Sequence, residues 1–308
     1  MHVALLAGGT GGAKLAAGMQ EEIGSGLTVV ANTADDVETL GVHVSPDPDL
    51  CTYWLTGEID EERGWGLRDD TFTVMGRMAD IGAPNWFSLG DRDLAACLYR
   101  AEFMREGGRQ TDAVAQIARG LGIEAAVLPM CDEAVRTKVL TEHGRRELQE
   151  YLILDGGQPR VDGVELDGIA EARPTAEVVN AFHTADLIVL GPSNPVISIG
   201  PILAVPGMRE AIDASPAPVV AVSPYVGGQV LKGPTNKFME ALGRPTTAAG
   251  VASLYMGLID AMVVDEGDPD PPPAELPTLA AKTLMDGAGG RVRLARTVLD
   301  YGQTLIDA

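Results

Sequence analysis

Little in this sequence marks a secreted, membrane-bound or thiolate-metal protein. Its three cysteines, Cys51, Cys97 and Cys131, are scattered, odd in number and free of any Cys-x-x-Cys pair. That argues against a disulfide framework or a cysteine zinc site and leaves reduced core thiols. No run approaches the roughly 20 uninterrupted apolar residues that a membrane helix needs. The apolar start, Met1 to Leu6, leads into glycines without the basic region and cleavage site of a secretory signal, so a soluble cytoplasmic protein is expected. Four histidines, His2, His43, His143 and His183, show no ligand spacing. Neither a Gly-x-Ser-x-Gly elbow nor a His-Glu-x-x-His helix is present. Cationic residues are few, 23 Lys and Arg against 44 Asp and Glu, for a net charge of −21. Such a charge disfavours nucleic acid and anionic membrane as partners. It also repels phosphorylated substrates, so a site for them must be locally basic or neutralised by a metal ion. A salt-adapted surface is the other origin such acidity can have.

What is present is an α/β rhythm. His2 to Ala7 reads as a buried strand, Gly8 to Gly12 as a loop, Ala13 to Glu22 as a helix and Leu27 to Ala31 as a second strand. A helical crossover makes such strands parallel. Ala125 to Pro129, Leu187 to Gly191, Val219 to Ser223 and Ala261 to Val264 read as further strands. Helices are expected over Asp112–Arg119, Thr175–Thr184, Thr247–Leu258 and Arg291–Leu305. The expectation is a Rossmann-like, doubly wound, mostly parallel sheet with helices on both faces. It forms a single domain over residues 1–308, with a smaller helical and antiparallel α+β insertion around 60–170. Leu148–Leu154 and Arg160–Asp167 are read as strands of that insertion. In an open α/β sheet, ligands bind outside the carboxyl ends of the strands, which directs attention to the loops there.

Gly8-Gly9-Thr10-Gly11-Gly12-Ala13-Lys14 follows the first strand. Glycines let backbone amides approach a phosphate, and the next helix offers its positive end. The string fails the dinucleotide fingerprint and the Walker pattern, so it reads as a phosphate loop of another type or as a tight turn. Asn32-Thr33-Ala34-Asp35-Asp36 follows the second strand, and Asp47 and Asp49 follow in Ser45-Pro46-Asp47-Pro48-Asp49. Clustered carboxylates need compensation, and hard oxygen ligands suit magnesium; capping and turn formation are the competing roles. In Gly90-Asp91-Arg92-Asp93, Arg92 can hold a phosphate or join a surface salt-bridge cluster. Ser193 and Asn194 in Gly191-Pro192-Ser193-Asn194-Pro195 can donate to a ligand, and Lys232 and Lys237 bring positive charge near another strand end. His43 reads as a structural histidine. Trp54, Trp65 and Trp86 can stack a flat ring, or simply pack in the core.

Taken in order along the chain, these stretches, with Arg63–Gly66, Pro129–Asp132, Ile199–Leu203, Val222–Pro234 and Gly250–Tyr255, resemble the 2-phospho-L-lactate transferases of coenzyme F-420 biosynthesis. The departures are small: Ala34 stands where glycine is more frequent, and Asn236 where glycine or aspartate is. The resemblance implies a magnesium-dependent phosphotransferase and a homodimer. Its acceptor would be the deazariboflavin Fo, its donor a guanosine diphospho-ester of 2-phospholactate, and GMP would leave. It matches Asp49 and Arg92 to Fo, and Gly8, Gly9, Thr10, Gly11, Gly12, Lys14, Ser193 and Asn194 to the guanosine diphosphate moiety. Asp36 and Asp49 are expected as metal ligands and catalytic residues, supported by Asp35, with Lys14 and Arg92 offsetting phosphate charge. The alternatives are the same transfer with a phosphoenolpyruvyl or phosphoglyceryl donor, a non-catalytic sugar-nucleotide-binding regulator, and a nicotinamide dehydrogenase, against which the failed fingerprint argues.

Overall fold

In the computed structural model, which describes residues 1–307, seven strands form one parallel sheet. Their spatial order is Ala126–Pro129, Leu27–Ala31, Val3–Ala7, Leu187–Leu190, Val219–Val222, Ala261–Asp265 and Thr278–Ala281. Numbered along the chain this is 3-2-1-4-5-6 with a seventh strand at the edge, the doubly wound order. The β-period of two divides each strand between two cores. Ala4 and Leu6 pack on one face with Phe182, Phe238 and Tyr255. Val3, Leu5 and Ala7 pack on the other, against the helices Gly9–Ile23 and Gly287–Ile306. Burial on both faces is why these strands are continuous apolar runs.

The chain leaves this sheet twice. Between the second and third strands it forms the hairpin Val37–Thr39/Val42–Val44 and the helices Pro46–Thr56, Thr73–Asp80, Asp91–Arg105 and Gln110–Gly120. Between the third and fourth it forms an antiparallel sheet of Arg136–Thr141, Gly144–Glu147 and Val161–Asp167. The region expected as one insertion is therefore laid out as two excursions flanking the edge strand Ala126–Pro129.

Three expectations are corrected. Leu148–Leu154 is not a strand: Glu150–Leu154 winds as a π-helical turn. A short apolar run does not distinguish strand from helix, and here buried Tyr151 anchors the turn by donating to the Gly157 and Pro159 carbonyls, 3.1 Å each. The loop expected over Gly8–Gly12 is reduced to Gly8, because the helix begins at Gly9. Asp47 and Asp49 lie in the first turn of a helix, not in a loop. Pro46 and Pro48 disguised it, yet proline is tolerated in a first turn, where backbone N–H groups have no intrahelical partner.

Candidate functional site

The strand order reverses between Val3–Ala7 and Leu187–Leu190, and the loops after these two strands meet at that switch point. The Gly8 amide donates to Ser193 Oγ at 3.2 Å. A Cβ on Gly11 would lie 2.0 Å from the Pro192 carbonyl oxygen, and one on Gly12 would lie 2.4 Å from Ser193 Oγ. These two glycines are thus required by close packing of the two loops. Asn194 turns inward: its Oδ1 accepts from the Val196 and Ile197 amides at 2.9 and 3.1 Å, and its Nδ2 donates to Thr235 Oγ1 at 3.1 Å. These hydrogen bonds shape the loop.

Against this junction stand two buried carboxylates, Asp35 and Asp47. Asp47 Oδ1 accepts from the Gly9 amide at the amino end of the glycine helix, where negative charge is favoured. Its Oδ2 accepts from Asn32 Nδ2 at 3.0 Å, and the same nitrogen lies 3.3 Å from Asp35 Oδ1. No cationic side chain forms an ion pair with either carboxylate among the described residues. Burial pushes the Asp47 carboxyl up to about 6, opposed by the Asn32 and Gly9 hydrogen bonds. Asp35 is raised well above the usual range by burial and by the charges of Asp47 and Asp36.

The two expected metal ligands are differently placed. Asp36 is engaged by three side-chain donors: Oδ1 accepts from Ser45 Oγ at 2.8 Å, and Oδ2 takes Gln110 Nε2 at 2.7 Å and His43 Nε2 at 2.8 Å. His43 also contacts Glu38. Burial disfavours its charge, but the hydrogen bond and charge of Asp36, aided by Glu38, leave its pKa raised. Asp49 forms a buried ion pair with Arg100. Arg92, matched with Asp49 to Fo by resemblance, pairs with Glu58 at the surface and donates to the Arg68 carbonyl at 3.4 Å. Its neighbour Asp93 points inward and accepts from the Tyr53 hydroxyl at 2.7 Å. Burial, then the charge of Asp49, pushes the Asp93 carboxyl up to about 7.

Sequence reading missed Arg100, Asp93 and Gln110. Asp93, Cys97 and Arg100 are spaced four and three apart, one face of a helix, and that face is buried. A charged pair on an apolar stripe was the available signal.

Positive charge gathers around Trp54, in the last turn of the Pro46–Thr56 helix. Lys14 Nζ stands 5.4 Å and the Arg291 guanidinium 4.8 Å from the ring centre of buried Trp54. Lys232 Nζ lies against Gly64. Burial lowers the Lys14 pKa; Glu61 opposes this, and Arg291 and Lys232 add to it. Arg291 pairs with Glu61 at 3.0 Å. Lys14 and Lys232 have no ion-pair partner among the described residues. Three cations from positions 14, 232 and 291 therefore converge in a chain of net charge −21. One surface depression lies elsewhere, lined by Asp186, Pro218 and Asp260 at the amino ends of the strands, the edge opposite to ligand sites in such sheets.

Comparison with known proteins identifies the family. A family model described as 2-phospho-L-lactate transferase CofD matches residues 3–283. The chain is 40% identical over 265 residues to a 2-phospho-L-lactate transferase of Methanosarcina mazei, covering 86% of this chain and 87% of that protein. It is 37% identical over 310 residues to the enzyme of that name from Methanopyrus kandleri, covering 99% of each. A phosphoenolpyruvate transferase of Kitasatospora aureofaciens is 37% identical over 311 residues, covering 97% of each. Among solved structures, a member of the UPF0052 family from Bacillus halodurans superimposes with a TM-score of 0.64 at 18% identity, covering 97% of this chain and 98% of that one. That likeness shows the fold.

Proposed function

The chain belongs to the 2-phospho-L-lactate transferase family and is a transferase, and on that premise we propose that it transfers the 2-phospholactyl group of lactyl-2-diphospho-5′-guanosine to Fo in coenzyme F-420 biosynthesis. A hydroxyl oxygen of Fo bonds to the phosphorus that carries the lactyl group. The bridging P–O bond to GMP breaks, GMP leaves, and the hydroxyl proton passes to a carboxylate of the site. Positioning and charge neutralisation supply most of the catalysis in such transfers.

The observation that carries this reading is the Asp35–Asp47 pair at the switch point. Two buried carboxylates that share one amide donor require a cation or a proton. Hard oxygen donors fit magnesium, which when bound would neutralise the pair and offset the donor's phosphate charge. We place that ion at Asp35 and Asp47 rather than at Asp36 and Asp49, because Asp36 is already held by three side-chain donors and Asp49 is neutralised by Arg100. Asp36, with His43 and Gln110, then holds the acidic loop in shape. Lys14, Lys232 and Arg291 attract the donor's phosphates, the local basicity that the net charge demands. Asp49 and Arg92 remain proposed for Fo: Asp49 offers its Oδ2, which has no hydrogen-bond partner among the described residues, while Arg100 keeps Oδ1, and Arg92 reaches Fo by leaving Glu58. The relatives named for phosphoenolpyruvate support the same transfer from a phosphoenolpyruvyl donor. Homodimerisation and a cytoplasmic location follow from the same family reading.

Ligand-induced stabilisation tests this. Fo and GDP with magnesium should each raise the thermal midpoint, by the mass-action effect of binding to the folded state. Stabilisation by sugar nucleotides with none by Fo would favour a regulatory binding protein instead.

A further inference from the structure

We propose that Arg100 is the positioning residue of this site: by gripping Asp49 and the His43 carbonyl it fixes the first turn of the Pro46–Thr56 helix, and with it the place of Asp47 against the Gly9 amide. The proposal rests on the reading of Asp35 and Asp47 as the ligand-holding pair.

Arg100 is 0% exposed and projects from the inner face of the Asp91–Arg105 helix. Its Nη2 meets Asp49 Oδ1, and its Nη1 donates to the His43 carbonyl at 3.1 Å. One planar fork therefore joins three separate segments: its own helix, the hairpin carrying His43, and the first turn carrying Asp47 and Asp49. The His43 ring in turn holds Asp36 at 2.8 Å, so the fork reaches both acidic loops. Lysine, with a single ammonium on a flexible stem, does not reproduce such a two-armed hold.

The pair is poorly explained as stabilisation alone. Asp49 Oδ2 and Arg100 Nε have no hydrogen-bond partner among the described residues. A buried ion pair with unsatisfied atoms recovers little of its desolvation cost, and an apolar pair of similar volume is often as stable or more so. What an apolar pair would not do is fix the angle of the helix turn or cancel the Asp49 charge beside a cluster that already holds uncompensated carboxylates. Groups that orient a metal's ligands typically change affinity or activity by roughly 10- to 100-fold when lost.

The test compares Arg100→Met and Arg100→Lys with the wild type. Three readouts are used: the thermal midpoint without ligand, Mn2+ binding followed by electron paramagnetic resonance, and kcat and KM with Fo and the guanosine donor. Expected are folded variants whose Mn2+ dissociation constant rises roughly 10- to 100-fold and whose kcat falls by a similar factor, with Arg100→Lys intermediate. Folded variants with wild-type Mn2+ affinity and kcat would overturn the proposal and leave Arg100 a structural residue. If Arg100→Met does not fold, Arg100→Lys and Arg100→Gln, which both keep Asp49, are measured in its place. The same losses support the role of Arg100, and wild-type values overturn it. A wild-type protein that binds no Mn2+ would overturn the metal reading and this proposal together. A wild type that binds Mn2+ while the variants bind equally well overturns only the role of Arg100.

Discussion

Asn32 Nδ2 lies 3.0 Å from Asp47 Oδ2 and is the only side-chain donor to that carboxylate among the described residues. The same nitrogen serves Asp35 at 3.3 Å. One neutral amide between two buried acids leaves their charge uncompensated, which favours function over stability. Asp35→Asn removes one charge and keeps a group that can accept from Asn32. It is expected to raise the ligand-free thermal midpoint by about 2–6 °C and to lower turnover on the order of 100-fold. Calorimetry and a GMP-release assay on one preparation read both effects.

Stability should also depend on pH in an unusual direction. The carboxyls of Asp47 and Asp93 are held at about 6 and about 7 in the folded chain, above their ordinary 3.8. The native state therefore binds more protons than the unfolded state between about pH 4 and 7, and stability falls as pH rises through that window. His43, also raised, contributes in the same sense. A tenfold change in the proton affinity of one such group corresponds to about 1.4 kcal/mol. Metal-free protein is expected to denature at lower urea concentration at pH 7.5 than at pH 5.5, and magnesium should narrow the difference. An increase in stability toward pH 7.5 without metal would contradict this.

The glycines at the switch point are expected to be intolerant for a packing reason. Gly11→Ala drives a methyl group into the Pro192 carbonyl and should cost about 1–3 kcal/mol. Gly76, where an added Cβ meets nothing within 4 Å, lies inside the Thr73–Asp80 helix. Gly76→Ala should be neutral or stabilise by up to about 1 kcal/mol. Urea unfolding of the two variants separates the cases.

The cation cluster should act on the donor and not on the acceptor. Lys232→Ala and Arg291→Ala are each expected to raise the donor KM about tenfold, equivalent to about 1.4 kcal/mol. Fo affinity should stay unchanged, and the effect should shrink in high salt as the charges are screened. Initial rates at two ionic strengths, with Fo fluorescence titration as the control, measure this.

The sheet was legible because its strands are buried on both faces and spell uninterrupted apolar runs such as Val3–Ala7 and Leu187–Leu190. The glycine and acidic loops were legible as chemistry because glycine repeats and adjacent aspartates are costly without a use. The division of labour among the aspartates was not. Asp35, Asp36, Asp47 and Asp49 look equivalent in sequence and differ in their partners, two of which come from far along the chain, Gln110 for Asp36 and Arg100 for Asp49. Arg92 and Asp93 are adjacent, yet one turns outward to Glu58 and the other inward to Tyr53. Helix phase decides that, and it depends on where the helix starts. The Pro46–Thr56 helix was hidden because proline, usually a breaker, occupies the one turn that tolerates it.

The most direct measurement incubates purified protein with Fo, magnesium and lactyl-2-diphospho-5′-guanosine and follows GMP and phospholactyl-deazaflavin together by mass spectrometry. Equal amounts of both products, formed by the wild type and reduced on the order of 100-fold in Asp47→Asn, are expected. GMP release without deazaflavin product, or undiminished product from Asp47→Asn, would contradict the proposed transfer and its site.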